Sequence, residues 1–514
     1  MNILLLYPKF PNWLHDFRHA IKFKNRKYLL PPVGLLTVAA LLPDGWNKRL
    51  VDENVQSLTK NDLEWADYVF ISAMPVHGQS VRRLTKICRQ AGRKIVAGGP
   101  LFTFDWDKFN DIDHFVLNEA ELTLPSFLSD LQAGCAKHVY SSTEFADIRQ
   151  SPIPLWHLAR LEHYEIIGIQ FSRGCKFDCE YCVVSSVLGR GIRAKSVTQL
   201  IAELDSIYAA GWRRSIYFLD DNFIISKGIK KEILPALIEW RKDKQDIQFQ
   251  TFVSINIADD DELMELMYDA GFDSVFIGIE TPNKNTLADC NKIQNTNRNL
   301  LDCVRHIHGK GIRVYGGLMV GFDNDTPEVF QQHIDFIQQS GIAAVATNQL
   351  KACSGTRLYK RMAAEGRLLT NFIDGDNTNF IPKMGMEELK KGYEKLLRQI
   401  YAPPHYYKRV ITFLSEFKRP RKQSKIELQS IIAFFLVIYH IGIRGVERNY
   451  FWRLIFWTLF KRPTLFPMAV TMAVYGYNFR KCVEEMFGDR PQEDYLCQEP
   501  GMDKIPFANT SELA

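Results

Sequence analysis

The stretch "FSRGCKFDCEYCVVSS" (residues 171–186) sets Cys175, Cys179 and Cys182 at spacings of four and three. Thiolates are the usual protein ligands of iron–sulfur clusters. A closed structural zinc site takes four ligands, normally as two separated cysteine pairs. No second pair follows here at such a spacing, so zinc is the weaker reading. Three thiols on a four-iron cluster leave one iron open, and an open iron is a place for a substrate. An aromatic residue, Tyr181, directly precedes the last cysteine.

The elements that must carry this loop are legible from short apolar runs alternating with helical ones. Residues 165–365 offer the strands "EIIGIQFS", "SIYFLDDNF", "IQFQTFVSI", "SVFIGIET", "RVYGGLMVGF" and "AVATNQLKA", with helices such as "SVTQLIAELDSIYAAG" between them. Glycine ends several of those helices, as a residue just past a helix should. Six such units predict a partial (β/α)6 barrel whose chemistry gathers at the carboxyl ends of its strands. Residues 1–150 show the same alternation, with strands "NILLLYP", "KRLVDENV", "ADYVFISAM", "KIVAGGP" and "DHFVLN". That predicts a doubly wound, Rossmann-like parallel sheet. Residues 151–164, with two prolines, read as a linker.

From residue 366 to the end the pattern turns mostly helical. "MEELKKGYEKLLRQIYAP" is an amphipathic helix by its period. A basic run, "KRPRKQSK" (418–425), precedes "IELQSIIAFFLVIYHIGIRG" and "NYFWRLIFWTLFKRP". The apolar run from Ile431 to Tyr439 is too short to span a bilayer, which takes roughly 20 residues. Two readings stay open: a buried helix, or a membrane-surface element with basic flanks. The aromatic residues Phe451, Trp452, Phe456, Trp457 and Phe460 belong to the same segment.

Bulk properties set limits. The chain has 514 residues, 46% hydrophobic and 24% charged, with a net charge of +5. That charge is too small to argue for a nucleic-acid partner. Ten cysteines make no disulfide framework at this length, and the first residues lack the basic and long apolar parts of a signal peptide. These features predict a cytoplasmic protein, with the inner face of a membrane as a second, peripheral location.

The cysteine loop resembles the CxxxCxΦC motif of the radical S-adenosylmethionine (SAM) enzymes, with Tyr181 as the aromatic Φ. The resemblance implies a [4Fe-4S] cluster on Cys175, Cys179 and Cys182. It implies SAM chelated to the open iron, an adenine beside Tyr181, and hydrogen abstraction by a 5′-deoxyadenosyl radical. It assigns Asp220, Asp221 and Asn222 to the SAM ammonium, which needs oxygen ligands. Glu280 and Ser254, with Asn256 nearby, fall where the ribose and methionine parts are held.

The domain order resembles the cobalamin-dependent branch of these enzymes, whose first domain carries a DxHxxG…SxL…GG pattern. Asp52 matches its first position, Asn54 stands where the cobalt-ligating histidine would be and Ser57 where the glycine would be, Ser72 and Met74 stand at the SxL positions, and Gly98 and Gly99 match GG. An amide replaces imidazole poorly as a cobalt ligand, so cobalamin is expected without a protein histidine beneath it. "PPVGLLTVAALLP", "VAGGPLFT", "IGIETP", "VGFDNDT" and "MAVYGYNFR" extend the resemblance to the subgroup with a helical C-terminal region, typified by hopanoid C-2 methylases. The resemblance implies methylation of an unactivated carbon, of a lipid such as a hopanoid or of another small molecule, with flavodoxin or ferredoxin as electron donor. Oxidation, cyclisation or rearrangement without methyl transfer is the second reading. A non-catalytic cobalamin or SAM sensor is the third, and it has no need of an open iron. A tRNA methylthiotransferase would need more cluster cysteines in the first domain than the isolated Cys88 and Cys135.

Overall fold

A computed structural model describes residues 1–14, 16–370, 377–418 and 428–488, with side chains of the last segment from residue 431. The basic run 419–425 lies outside the described residues. Two six-stranded parallel sheets, a two-stranded ribbon and a helical region make up the described residues.

The first sheet has the order β2-β1-β3-β4-β5-β6. Its strands are β1 (Asn2–Tyr7), β2 (Asn47–Asp52), β3 (Tyr68–Ser72), β4 (Lys94–Gly98), β5 (His114–Val116) and β6 (Val139–Tyr140). Ile3, Leu4, Leu5 and Leu6 are all fully buried, because helices cover both faces of a doubly wound sheet. Period-two alternation sorts them: Leu4 and Leu6 pack into a core belonging to this domain, with Val69 and Ile71. Ile3 and Leu5 join the large core that runs on through the barrel and the C-terminal helices. The strand order reverses between β1 and β3, which opens the crevice where ligands of such sheets bind. Five of these strands match the sequence reading; β6, with two residues, is too short to leave a pattern.

The second sheet is the partial barrel, order β14-β13-β12-β11-β10-β7, every neighbour parallel. Its strands are β7 (Ile167–Ile169), β10 (Ile216–Phe218), β11 (Phe249–Val253), β12 (Phe272–Glu280), β13 (Arg313–Val320) and β14 (Val345–Gln349). A small antiparallel ribbon, β8 (Ser172–Arg173) with β9 (Arg193–Ala194), leaves the barrel just before Cys175 and returns after Arg190. The stretch read as a linker is no loose tether, since Trp156, Ala159 and Tyr164 are buried in it.

The amphipathic helix forms as Met386–Tyr401 and lies against the barrel helix Glu328–Ser340, where Gly392 leaves room for Phe330. Tyr393 and Tyr401 donate hydroxyl hydrogen bonds to the Thr347 and Val345 carbonyls of β14. The long helix Phe466–Phe487 ties the whole together. Its Asn478 Oδ1 accepts from the backbone N–H groups of His19 and Ala20 in the first domain. Among the described residues no helix is long and apolar enough to cross a membrane.

Candidate active site

The cysteine loop begins at the carboxyl end of β7 and is pinned by the next strand. Asp220 is fully buried at the end of β10. Its carboxylate accepts from the backbone N–H of Phe171 and of Ser172, and from the Ser172 hydroxyl. Burial pushes its pKa up to about 7 against those bonds, which favour the charged form. Asp221 accepts from the Gly174 N–H at 2.9 Å, one residue before Cys175. Gly174 itself has φ +96°, and a Cβ there would meet the Gly191 carbonyl oxygen at 2.4 Å. Only glycine lets the loop fold back this closely.

The far side of the loop is held by residues just after β12. Glu180 N–H donates to the Cys290 carbonyl, the Asn291 side chain donates to the Asp178 carbonyl, and Gln294 Nε2 reaches Cys179 Sγ at 3.8 Å. Burial raises the Cys175 thiol pKa and lifts that of Cys182 to about 12. Among the described residues no three His, Cys, Asp or Glu side chains surround one point at ligand spacing. The three thiols share one short loop and sit close enough to act on one another's charge. Three free thiols of this kind are the donor set a [4Fe-4S] cluster takes.

Glu280, at the end of β12, has φ +66° and pairs with Lys292 at 2.6 Å, both side chains nearly buried. Gly278 makes the space: a Cβ there would meet Glu280 Oε1 at 2.2 Å and Lys292 Nζ at 2.9 Å. Burial pulls the Lys292 pKa down, and the Glu280 carboxylate with the Cys179 and Cys182 thiols more than offsets it, so the ammonium is held above its ordinary value. Tyr181 packs edge-on to Phe322, their centroids 5.9 Å apart. Its buried hydroxyl stands beside Glu280 without a hydrogen bond of good geometry, and burial drives its pKa well up. Asn222 exchanges two hydrogen bonds with Ser254, whose hydroxyl donates to Asn256. So Asp220 and Asp221 hold the loop, Asn222 and Ser254 hold each other, and Glu280 meets a cation that spacing alone does not reveal.

At the carboxyl end of the first sheet, Gly99 has φ +95°, and a Cβ there would meet Ser72 Oγ at 2.9 Å. A Cβ on Gly98 would meet the Val116 carbonyl at 2.7 Å. Met74 stays exposed in this rim. Asp52 is buried and accepts from the Tyr164 hydroxyl at 2.8 Å and from both the backbone and the side chain of Asn54. Asn54 Oδ1 in turn accepts from the Phe10 N–H, and its Nδ2 donates to the Pro8 carbonyl. Both polar ends of Asn54 are thus engaged in bracing two loops.

The imidazole beside this crevice is one that motif reading missed. His77 is fully buried, with Nδ1 accepting from the Met74 N–H at 3.0 Å. That bond assigns the ring proton to Nε2, which has no hydrogen-bond partner. A protonated nitrogen donates hydrogen bonds and does not ligate a metal. The residues present therefore fit a corrinoid bound without a protein imidazole on cobalt.

The two halves are joined beside the cluster loop. Arg173 binds Glu119 at 2.7 Å and Glu121 at 2.8 Å, and Arg193 binds Glu119 at 2.8 Å. The Ala146 N–H also donates to Glu119. This network of two carboxylates and two guanidiniums spans the first domain and the ribbon leading to Cys175.

A cobalamin-type sheet beside a half barrel with a three-cysteine loop defines a cobalamin-dependent radical SAM enzyme. Comparison with known proteins agrees: residues 21–128 match the B12 binding domain, residues 169–337 the Radical SAM superfamily, and residues 356–491 a domain of unknown function, DUF4070. The chain is 34% identical to an uncharacterized methyltransferase of Synechocystis sp. (strain ATCC 27184 / PCC 6803 / Kazusa), over 98% of this chain and 96% of that one. It is 32% identical to the hopanoid C-2 methylase of Rhodopseudomonas palustris (strain TIE-1), over 88% of each. The chain belongs to the family of cobalamin-dependent radical SAM methyltransferases that includes these two proteins. In fold it is similar to the cobalamin-dependent radical enzyme OxsB with aqua-cobalamin bound (TM-score 0.60, 15% identity, 95% of this chain and 84% of that one). It is also similar to the methyltransferase TsrM of Kitasatospora setae (TM-score 0.57, 16% identity, 71% and 75%). The enzyme uses a [4Fe-4S] cluster, SAM and cobalamin, and reading it as a methyltransferase displaces the sensor and the rearrangement readings.

Proposed function

We propose that the enzyme methylates an unactivated carbon of an apolar, polycyclic lipid of the hopanoid type. The observation that carries this reading is the 32% identity to a hopanoid C-2 methylase, sustained over 88% of both chains. The shared length takes in the helical region as well as the two cofactor-binding domains. An unactivated C–H bond cannot be deprotonated at neutral pH, so acid–base catalysis has no hold on it. When bound, the cluster with SAM supplies hydrogen abstraction and cobalamin supplies the methyl group.

The residues take the following parts in this reading. Cys175, Cys179 and Cys182 hold the cluster, while Asp220 and Asp221 fix the backbone that presents them. Tyr181 lines the adenine, and the Glu280–Lys292 pair offers both signs of charge to the polar end of SAM. Asn222 and Ser254 shape the rim between β10 and β11. Ser72, Met74, Gly98 and Gly99 line the corrinoid crevice, and Asp52 and Asn54 brace it from behind. Residues 1–150, 165–365 and 366–514 act as cobalamin domain, barrel and helical domain, with 151–164 as a packed spacer. A flavodoxin or ferredoxin supplies the electrons, and the setting is the cytoplasm.

The test uses anaerobically reconstituted full-length protein, a desmethyl hopanoid and SAM carrying a deuterated methyl group. The reading expects label in the hopanoid ring, and none with Cys179→Ala, which should also lose SAM cleavage. Sustained 5′-deoxyadenosine formation with no labelled hopanoid would assign the enzyme another acceptor.

A further inference from the structure

Most large apolar side chains left exposed among the described residues fall in one short part of the chain, from Ile431 to Phe460. On the helix Leu428–Val437 and its continuation Ile438–Ile443, Ile432, Phe435, Tyr439 and Ile443 follow one another at spacings of three and four. Such residues share one face, and here that face is exposed while Val437 and Ile441 turn inward and are buried. The next helix, Arg448–Lys461, buries Phe451, Leu454 and Ile455 and leaves Phe456, Leu459 and Phe460 outside. Phe460 is 82% exposed. The segment Ile438–Ile443 packs against this second helix, where Trp452 Nε1 donates to the Gly442 carbonyl, and exposed apolar surface concentrated on neighbouring elements marks an interaction site.

Within residues 431–464 the exposed charge has one sign. Arg444, Arg448, Arg453 and Lys461 are exposed, and among the described residues none of them forms an ion pair. Glu447 is the only carboxylate between residues 431 and 464, and it is buried against Arg480 at 3.0 Å. A further cation comes from the opposite end of the chain. The short helix Lys22–Lys24 packs against the helix Leu428–Val437, the Phe23 ring meets His440 and Tyr477, and Lys22 is exposed there.

We propose that this face docks the enzyme on the surface of an anionic lipid bilayer. Aromatic and branched side chains would enter the interface between headgroups and acyl chains, and the surrounding cations would pair with anionic headgroups. The cations speak against a second copy of the chain, because a self-complementary contact would bring like charges together. Among the described residues no helix is long and apolar enough to cross the bilayer, so the contact proposed is peripheral. This assignment rests on the surface alone and holds whatever the methyl acceptor is.

The test is co-sedimentation of the full-length protein with phosphatidylglycerol/phosphatidylcholine vesicles and with pure phosphatidylcholine vesicles, at low and high salt. Binding is expected to the anionic vesicles, to weaken strongly with salt, and to be slight on neutral ones. Each cation near an anionic surface contributes about fivefold in affinity. The triple change Arg444→Gln, Arg453→Gln, Lys461→Gln should therefore cost about a hundredfold. Phe435→Ser with Phe460→Ser should abolish binding while the melting temperature holds, since both rings are already in water. Absence from the anionic pellet at low salt would overturn the proposal. So would binding that neither variant weakens, or a dimer that Phe460→Ser dissolves with no vesicle binding.

Discussion

Arg173 and Glu119 meet at 2.7 Å, both nearly buried, one on the ribbon that leads into Cys175 and the other between β5 and the following helix of the cobalamin-type domain. Transfer of a methyl group between cofactors held by two domains depends on how those domains are set relative to each other. Glu119→Gln keeps the shape and removes the charge that holds Arg173 and Arg193. SAM cleavage should persist, while labelled product per 5′-deoxyadenosine falls by at least about tenfold, a loss of about 1.4 kcal/mol in positioning. Mass spectrometry of both products gives the ratio. An equal fall of both would place Glu119 in general stability and not in alignment. A stalled ratio with unchanged cluster absorbance distinguishes misalignment from cluster loss.

Glu280 and Lys292 are a buried pair, and breaking such a pair from one side strands the other charge at a cost of about 3–5 kcal/mol. Lys292→Met should lower the melting temperature markedly and weaken SAM binding, whereas Glu280→Gln with Lys292→Met together should recover much of the stability and none of the affinity. Differential scanning calorimetry and equilibrium SAM binding read the two effects. Recovery of both would show that the pair serves folding alone.

Asn54 braces loops and has both polar ends engaged, and His77 presents a protonated nitrogen. Cobalamin bound here should therefore show no strong axial nitrogen coupling in the electron paramagnetic resonance spectrum of its cob(II)alamin form. Asn54→Ala should cost about 1–3 kcal/mol in stability, from the buried partners it leaves, and leave that spectrum unchanged. Axial nitrogen coupling from a protein imidazole would reverse the tautomer assigned to His77.

Three buried histidines make stability fall on the acid side. Burial lowers the pKa of His77 to about 4 and of His308 and His333 to about 3. The unfolded chain takes up these protons near pH 6.5, before the folded protein does, so stability declines as pH drops from 6.5 toward 3. His308→Gln should flatten that part of a melting-temperature curve against pH. An unchanged slope would mean that other groups carry the acid sensitivity.

Much of this protein was legible in the order of its residues, because the signals concerned are local. Cys175, Cys179 and Cys182 lie within one loop, so their spacing alone marks them as candidate cluster ligands. The apolar runs of all six barrel strands and five of the six strands in the first sheet read correctly, since buried parallel strands carry continuous apolar sequence. What the tertiary structure decided concerns partners far apart in the chain. Spacing put Asp220 and Asp221 at the right strand end, yet only the fold turns their carboxylates onto Ser172 and Gly174. Lys292 reaches Glu280 because Gly278 leaves room and Asn295 ties that helix to the strand end. The apolar run from Ile431 was open between core and surface, since periodicity says that a helix has a face and not what covers it. Covering is a matter of which neighbours arrive, and long-range packing leaves Phe435 and Phe460 outside while it draws Lys22 alongside.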